Sequence, residues 1–405
     1  MSREYIERNC RIPVTGTYDV IVAGGGIAGV AAALAAVRAG AKTLLLEKQT
    51  WLGGLATNGL VNFWEPLDNG AGKIIMHGIA EEMFRESLKY GYDTLPQAWK
   101  NGEPEKPDGT RLMTRYSQGI FALVMLKMLR DAGAEVMFDV IASEPVMEGK
   151  HCAGVITDGK NGLEFLRTGA VIDATGDADM LYKAGAPVVE GGNFYTYYAE
   201  GITLDGCKRA VETGKIGAAY SLFFGGVSDL HGDGHPPEKP LYHGGGTAVI
   251  NQYLQENQLE LLRKEADPAL RDKRAIHILP GIPQLRTIRR LDGDVTLTGE
   301  ENAAYCETSV GVAADFEHDD RNYEIPYGVM THAGYDNMLA CGRNASGVKR
   351  GWEIMRVIPV AALTGEAAGL AAVQTLREKL PAPEISISGL QDALRKNGIK
   401  IHLEE

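Results

Sequence analysis

Three glycines near the N terminus have the spacing of a loop that binds phosphate. They form the pattern Gly24-x-Gly26-x-x-Gly29, after an apolar run at residues 19–23 and before an alanine-rich stretch at residues 28–39. In such a loop the first glycine permits a tight turn, the second lets backbone amides approach a pyrophosphate, and the third lets a helix pack closely on a strand. The helix N terminus adds partial positive charge and unpaired N–H groups. The pattern therefore predicts a dinucleotide site.

An acidic residue closes the second apolar run. Residues 42–47 have the pattern of a buried strand, and this strand ends at Glu47. A carboxylate at that position can accept hydrogen bonds from ribose hydroxyls. The glycine spacing alone is a weak signal, but strand, glycine turn, helix, strand and acid follow one another in the required order. This order predicts a βαβ unit with a parallel sheet.

The elements that must position these residues are visible along the chain. Apolar residues at helical spacing predict helices over residues 77–90 and 119–132, and a later helix is predicted over residues 359–379. Short strands broken by glycine-containing turns over residues 143–175 predict a β-meander. The fold class is therefore α/β, with a Rossmann-like domain that contains a β-meander and with a second α+β substrate lobe.

The predicted domain organisation is discontinuous. The first part of the dinucleotide-binding domain covers residues 15–190, and a less regular, aromatic-rich segment at residues 191–335 forms the substrate or cap lobe. Residues 336–380 return to complete the first domain, and residues 381–405 form a C-terminal tail.

Composition and charge restrict the partners. The 405 residues carry a net charge of −12, which disfavours nucleic acid and anionic membrane surfaces because both attract positive potential. The N-terminal residues lack the apolar core of a signal peptide and no apolar run is long enough to span a bilayer, so a cytoplasmic protein is expected. The five cysteines have no metal-ligand spacing, and no metal site is predicted. A small-molecule substrate is the expected partner, and a homo-oligomer stays open.

A glycine pair and three later stretches carry a family resemblance. Gly53-Gly54 is followed by Leu55-Ala56-Thr57, and the later stretches lie at residues 171–177, 337–346 and 356–369. Together they resemble the FAD-dependent oxidoreductase family of the glutathione-reductase-like superfamily, in its fumarate reductase flavoprotein-like branch. The resemblance covers residues 17–377 and implies FAD rather than NAD as the dinucleotide.

The resemblance also implies which residues contact the cofactor. In the family the glycine pair runs along the pyrophosphate and ribityl chain, and the N terminus of the final helix points at the flavin pyrimidine edge. The FAD-binding residues implied in this sequence are Gly24, Gly26, Ala28, Gly29, Glu47, Lys48, Gly53, Gly54, Leu55, Ala56, Thr57, Val140, Ala174, Thr175, Gly176, Gly342, Arg343, Arg356, Val357 and Ile358.

Two departures from the superfamily affect the expected chemistry. No paired cysteines follow Gly53-Gly54, so thiol–disulfide chemistry is not expected. Gly328 and Val348 stand where the family usually carries an arginine and a histidine, so the substrate is expected to differ from the family norm.

Candidate catalytic residues lie in the second lobe. Arg286 belongs to a segment that resembles the family's arginine-rich one, and a guanidinium can fix a carboxylate or stabilise developing negative charge. His318 lies in an Asp-x-x-His segment that resembles the family's Asp-x-His one, and imidazole exchanges protons near neutral pH. His77, Arg115 and Tyr323 are weaker candidates.

The expected function is hydride transfer between a small organic substrate and the N5 atom of FAD, by a dehydrogenase or a reductase. One alternative is a flavin-dependent monooxygenase, for which Gly176-Asp177 offers a glycine–aspartate pair in an unusual position. A more distant alternative is a non-catalytic or RNA-modifying flavoprotein, which the acidic chain disfavours. The direction of hydride flow and the electron partner stay open.

Overall fold

The computed structural model describes residue 6 and residues 9–92 and 94–405. The remaining N-terminal residues, on which the expected lack of a signal peptide partly rests, lie outside the described residues. In the described part of the chain the helices are α1 Ile27–Arg38, α2 Gly78–Lys89, α3 Gln118–Ala132, α4 Asp179–Lys183, α5 Leu204–Thr213, α6 Thr247–Glu265, α7 Arg350–Arg356, α8 Ile358–Glu378 and α9 Ile387–Lys396.

The strands of the first domain are β1 Val14–Ala23, β2 Thr43–Glu47, β3 Phe63–Trp64, β4 Thr114–Arg115, β5 Glu135–Phe138, β6 Ile141–Glu148, β7 His151–Gly159 and β8 Gly162–Asp173. The later strands are β9 Val188–Glu190, β10 Gly192–Asn193, β11 Thr196–Thr203, β12 Tyr220–Val227, β13 Tyr242–His243, β14 Arg274–Ile278, β15 Arg289–Leu291, β16 Ser309–Ala314, β17 Asn322–Pro326 and β18 Met338–Ala340.

A seven-stranded sheet forms the centre of the first domain. Its order is β5-β2-β1-β8-β7-β6, with β18 beside β8, and the neighbours among β5, β2, β1 and β8 run parallel. Strand β2 is buried along its whole length, as expected for a parallel strand covered on both faces. The predicted α/β fold class with a Rossmann-like domain is confirmed.

Strand β8 belongs both to the meander and to the parallel part of the sheet. Strands β6, β7 and β8 pair antiparallel, as predicted, and the second half of β8 leaves β7 to lie between β1 and β18. Strand β18 therefore brings the chain back into the sheet after the second lobe. Its residues Met338, Leu339 and Ala340 pair in parallel with residues 171–173.

Helices α1 and α8 pack directly against each other beside this sheet. Helix α1 is rich in alanine, and all of its residues from Ile27 to Ala36 are buried. Helix α8 is buried along most of its length. Small side chains on both helices allow the backbones to approach closely.

The second lobe has its own core. The antiparallel sheet β12-β11-β14 packs with α6 around Tyr197, Phe223 and Tyr253. Residues of this core lie between Tyr195 and Ile288.

The chain after this core differs from the predicted organisation. The hairpin β16–β17, within the stretch predicted as second lobe, packs into the first core with α8, and so does α9 from the predicted tail. Leu390, Leu394 and Ile401 are fully buried there. The physical reason is that both segments carry apolar residues that bury against α8.

No helix in the described ranges is by itself long and apolar enough to cross a membrane. The helices α7 and α8, which meet at a bend of 76°, have the required length and composition only when the two are taken together.

Candidate active site

The glycine turn after β1 is shaped by contacts that only glycine allows. Gly24 has a φ of +107°, and a Cβ at Gly29 would lie 1.9 Å from the carbonyl oxygen of Gly24. A Cβ at Gly26 would instead meet nothing within 4 Å. Gly24 and Gly29 are therefore required by the protein's own packing, whereas Gly26 leaves space beside the turn.

That space belongs to a cavity of about 530 Å³. Its size is within the range of small-molecule and cofactor sites. It is lined by Gly24, Gly26, Ile27, Ala28, Leu46, Glu47, Lys48, Gln49, Gly53, Gly54, Leu55, Ala56, Val140, Ile141, Ala142, Ala174, Thr175, Gly176, Asp177, Asp179, Lys183, Gly245, Ile250, Ile282, Pro283, Ile288, Arg289, Cys341, Gly342, Arg343, Arg356, Ile358 and Ala361.

Most of the predicted cofactor residues meet at this cavity. All of them line it except Gly29, Thr57 and Val357. Gly29 serves helix packing, the hydroxyl of Thr57 donates to the carbonyl oxygen of Leu52, and Val357 is buried as the N-cap of α8. The contacts of all these residues with the cofactor stay predictions.

The carboxylate of Glu47 is fixed by the backbone. It is buried and accepts hydrogen bonds from the N–H groups of Gly25 and Gln49, both at 2.7 Å. Burial raises the pKa of Glu47, and these backbone donors oppose the rise. The group is therefore held at the end of β2 where the predicted ribose contact requires it.

The second glycine pair lies against the phosphate turn. The N–H of Gly53 donates to the carbonyl oxygen of Gly25 at 2.8 Å, and Gly53 and Gly54 have φ values of +108° and +55°. The tight turn carries Leu55 and Ala56 along the cavity wall.

The side chain of Arg343, a predicted cofactor residue, forms hydrogen bonds with other groups of the protein. Its Nε donates to the carbonyl oxygen of Gly176 at 2.9 Å, and its Nη2 pairs with Asp177 at 2.7 Å. It also donates to the carbonyl oxygen of Leu285 from the second lobe. Arg343 therefore joins the turn after β8 to the second lobe at the cavity wall.

Several cavity residues were not among the predicted FAD-binding residues. Asp177 adjoins the predicted Ala174-Thr175-Gly176 stretch, and Lys183 and Arg289 add positive charge to the lining. The Nε of Arg289 is buried and has no hydrogen-bond partner among the described residues. Position after the Ala-Thr-Gly strand could have indicated Asp177, and Arg289 lies in the same segment as Arg286, which resembles the family's arginine-rich one.

The cavity ends at the start of α8, where another unpredicted residue lies. Ile358 is the first residue of this helix, and its N–H donates to the carboxylate of Glu65 at 3.1 Å. Burial raises the pKa of Glu65 to about 7, against the opposing effects of backbone hydrogen bonds and of the positive charge of Arg356. Glu65 follows the short strand β3 and has no motif around it in the sequence.

None of the five predicted catalytic residues lines the cavity, but Arg286 belongs to a segment from which Pro283, Ile288 and Arg289 do. Burial lowers the pKa of Arg286, and the positive charge of Arg356, which lines the cavity, lowers it further. Arg115 is more exposed, with its guanidinium 5.8 Å from the ring centroid of Phe63.

Tyr198 lies within electrostatic range of both Arg286 and Arg115. It lies on β11 of the second lobe, and its hydroxyl donates to the carbonyl oxygen of Leu60 at 3.2 Å. Burial raises the pKa of Tyr198 to about 12, and the positive charges of Arg286 and Arg115 oppose this rise. The three side chains therefore share one electrostatic environment between the lobes.

The other three candidates lie elsewhere. His318 is exposed in the turn between β16 and β17, where its backbone N–H donates to Asp315 at 3.0 Å. Tyr323 is fully buried and donates to the same Asp315 at 3.3 Å. His77 precedes α2, and its hydrogen bond with Glu81 raises its pKa. The structure brings none of them to the cavity, and their catalytic roles stay predictions without a supporting contact.

Comparison with known proteins places the chain in a family. The model of the FAD dependent oxidoreductase family matches residues 19–220 and 275–394, most of the sequence. The chain belongs to this family of enzymes. No curated protein matches the sequence.

Solved structures match the chain at low sequence identity. The chain is 15% identical to a geranylgeranyl bacteriochlorophyll reductase-like protein from Thermoplasma acidophilum, with 95% and 82% of the two chains covered and a TM-score of 0.48. It is 15% identical to p-nitrophenol 4-monooxygenase from Pseudomonas putida, with 95% and 82% covered and a TM-score of 0.44. A flavocytochrome c3 fumarate reductase is 13% identical, with 88% and 78% covered and a TM-score of 0.41. At these values the likenesses carry no argument about the reaction.

The residues at the cavity fit FAD. The open space at Gly26 gives a pyrophosphate room to approach backbone, and the unpartnered Nε of Arg289 offers a donor at a lining that also holds Lys48 and Lys183. Glu47 supplies an acceptor at the end of β2. The predicted FAD cofactor is confirmed by the family.

Proposed function

We propose that this enzyme is a dehydrogenase or reductase that transfers a hydride between FAD and a small organic substrate held beneath the second lobe. The motifs at residues 171–177, 337–346 and 356–369 support the fumarate reductase flavoprotein-like branch. Bound FAD would supply hydride acceptance or donation at its N5 atom. The residues of the second lobe then bind and orient the substrate.

The observation that carries the proposal is the electrostatic coupling of Arg286 with Arg356. Arg286 belongs to the second lobe and Arg356 lines the cavity; the positive charge of Arg356 lowers the pKa of Arg286, and the negative charge of Glu353 opposes this effect. Two half-buried guanidinium groups this close favour an anionic or strongly polar occupant beside Arg286, because within the described part of the chain only Arg356 is paired with a carboxylate, that of Glu353.

Tyr198 completes this part of the proposed substrate site. Its raised pKa keeps the hydroxyl protonated at neutral pH, so it remains a hydrogen-bond donor or acceptor and not a base. Arg286 would stabilise negative charge on the substrate, as a fixed cation does in a site that excludes water.

The experiment is anaerobic titration of the purified holoprotein with hydroxy acids, sugars, polyols and enoates, followed by flavin absorbance. A substrate that reduces the flavin, or reoxidises the reduced flavin, supports the proposal. With that substrate Arg286→Ala should slow the half-reaction by about 10²-fold or more while FAD content stays unchanged. Arg271→Ala, at an exposed arginine of the same lobe, should react at the wild-type rate.

The monooxygenase alternative predicts a different result. Oxygen uptake coupled to hydroxylation of a substrate, with no flavin reduction or reoxidation by any of the compounds, would contradict hydride exchange with the substrate.

A further inference from the structure

Glu65 is positioned by the residues on both sides of it. Trp64 is fully buried, and its Nε1 donates to the hydroxyl of Ser87 at 3.0 Å. Strand β3, which ends at Trp64, pairs with β4 through Trp64 and Thr114. The residue before Glu65 is therefore fixed by burial, by a side-chain hydrogen bond and by strand pairing.

The partner of this carboxylate is a backbone group of the FAD cavity. Oε2 of Glu65 accepts the hydrogen bond from the N–H of Ile358 at 3.1 Å, and Ile358 lines the cavity. Ile358 begins a helix of 21 residues, and Pro359 next to it has no N–H to offer. Glu65 thus accepts a hydrogen bond from one of the few N–H groups at the N terminus of α8 that have no partner within the helix.

The charged and titratable groups around Glu65 come from three other elements. Arg356 of α7 acts on it as a positive charge and is itself paired with Glu353. Tyr116, which follows β4, and Tyr198 of β11 both experience the negative charge of Glu65. Both tyrosines stay neutral near pH 7, because burial raises their pKa values. The net local charge beside the carboxylate therefore depends on Glu65 and on the Arg356–Glu353 pair.

We propose that Glu65 is a redox-linked proton acceptor: when FAD in this cavity is reduced, the carboxylate of Glu65 takes up one proton from solvent. Reduction adds negative charge near a carboxylate that shares the positive end of α8, and repulsion between like charges favours the protonated acid. The two electrons come from the reductant and go to the cofactor, and the additional proton forms an O–H bond on Glu65. Reoxidation returns that proton to solvent.

The pKa of about 7 caused by burial makes this uptake possible at neutral pH. A carboxyl group with an ordinary pKa near 4 would remain ionised in both redox states. The rise in pKa on reduction then converts a mostly ionised group into a mostly protonated one in the window just above pH 7.

The test is the pH dependence of the midpoint potential of bound FAD in the wild-type holoprotein and in Glu65→Gln. Gln keeps an oxygen that accepts the N–H of Ile358 but cannot take up a proton. One additional proton per two electrons changes the equilibrium tenfold per pH unit, which is 29.6 mV. The wild-type potential should therefore fall about 30 mV per pH unit more steeply than that of the variant over the window just above pH 7.

Glu366→Gln is the matched control. Glu366 is also a buried carboxylate whose pKa is raised by burial, and it accepts the N–H of Ile79 at 2.7 Å near the start of α2. Neither carboxylate lines the cavity, but Ile358, the partner of Glu65, does, whereas Ile79, the partner of Glu366, does not. Its variant should keep the wild-type pH dependence, and equal slopes for wild type and Glu65→Gln would overturn the proposal while leaving FAD binding established.

The wild-type protein gives a second readout that does not depend on a folded variant. Its reduced-minus-oxidised infrared difference spectrum near pH 7 should contain a protonated-carboxyl C=O band that shifts in deuterated water. Absence of this band would overturn the proposal even if Glu65→Gln failed to fold or to bind FAD.

Discussion

Gly365 of α8 lies so close to Ala28 of α1 that a Cβ at Gly365 would be 2.2 Å from the carbonyl oxygen of Ala28. One turn later Gly369 has the same relationship with Ala32, at 2.4 Å. Two helices that are far apart in the sequence therefore pack backbone against backbone. This contact fixes the N termini of both helices at one cavity, since Ile27 and Ile358 both line it.

Gly369→Ala should destabilise the protein by about 1–3 kcal/mol, because the added methyl group overpacks a close contact between two helices. FAD affinity should fall as well, since the start of α8 must move away from α1. Denaturant unfolding and flavin fluorescence measure the two effects.

The control is the same change at a helical glycine with free space. A methyl group added at Gly119 of α3 would have no other atom within 4 Å, so Gly119→Ala should stabilise by about 0.4–1 kcal/mol. A stabilising Gly369→Ala would contradict the packing described for α1 and α8.

Gly26→Val should abolish FAD binding and leave the fold intact. Its side chain would enter the cavity, where a Cβ meets no protein atom within 4 Å, and would occupy the space of the pyrophosphate. The measurements are flavin absorbance of the purified protein and thermal unfolding of the apoprotein.

Gly29→Val should lose both the flavin and the fold, because its Cβ would lie 1.9 Å from a backbone oxygen. If Gly26→Val retained full FAD occupancy, the glycine turn could not be the pyrophosphate site.

Asp173 should make stability depend on pH. Burial raises its pKa from 3.8 to about 6, although the N–H groups of Leu181 and Thr175 donate to the carboxylate. The folded state thus binds more protons than the unfolded state between these two values. The free energy of unfolding should fall as pH rises through this window, by on the order of 3 kcal/mol from Asp173 alone.

Asp173→Asn removes this titration, so the comparison isolates it. Wild-type stability relative to the variant should be highest near pH 4 and should decline until about pH 6, as measured by chemical unfolding at several pH values. A difference that is constant with pH would show that Asp173 is not protonated in the folded state.

His318→Ala should leave the rate of flavin reduction by substrate unchanged. The exposed turn that holds His318 lies outside the cavity lining, and Asp315 beneath it is engaged by Arg350 at 3.1 Å. Stopped-flow reduction of the variant and of Arg286→Ala, side by side, tests this expectation. A slowing of about 10²-fold or more in His318→Ala would contradict this expectation and would support His318 as the catalytic acid or base.

The glycine turn and Glu47 could be predicted because their signal is local. Strand, turn and helix follow one another within a short stretch, and each glycine serves a backbone conformation or a close approach that few other residues allow. Arg343 and Ile358 could be found only through resemblance, since their positions at the cavity depend on the return of β18 and α8 to the first domain.

Glu65 and Tyr198 could not be predicted in this way. Each owes its environment to a contact with a distant segment: Glu65 to Ile358, and Tyr198 to Leu60 and Arg286. The burial of residues 309–326 and 387–396 against α8 could not be predicted either. The apolar pattern of a segment indicates that the segment is buried, but it does not indicate which element covers it.

The pairing of α1 with α8 also sets the moment at which the cofactor can be captured during biosynthesis. The first helix leaves the ribosome early, but the cavity lacks one end until residues 341–361 have been made and the whole of α8 has emerged to pack on α1. In a newly made chain the face of α1 that packs on α8 therefore has no partner until α8 has been made. The complete FAD cavity accordingly cannot form before α8 has been made.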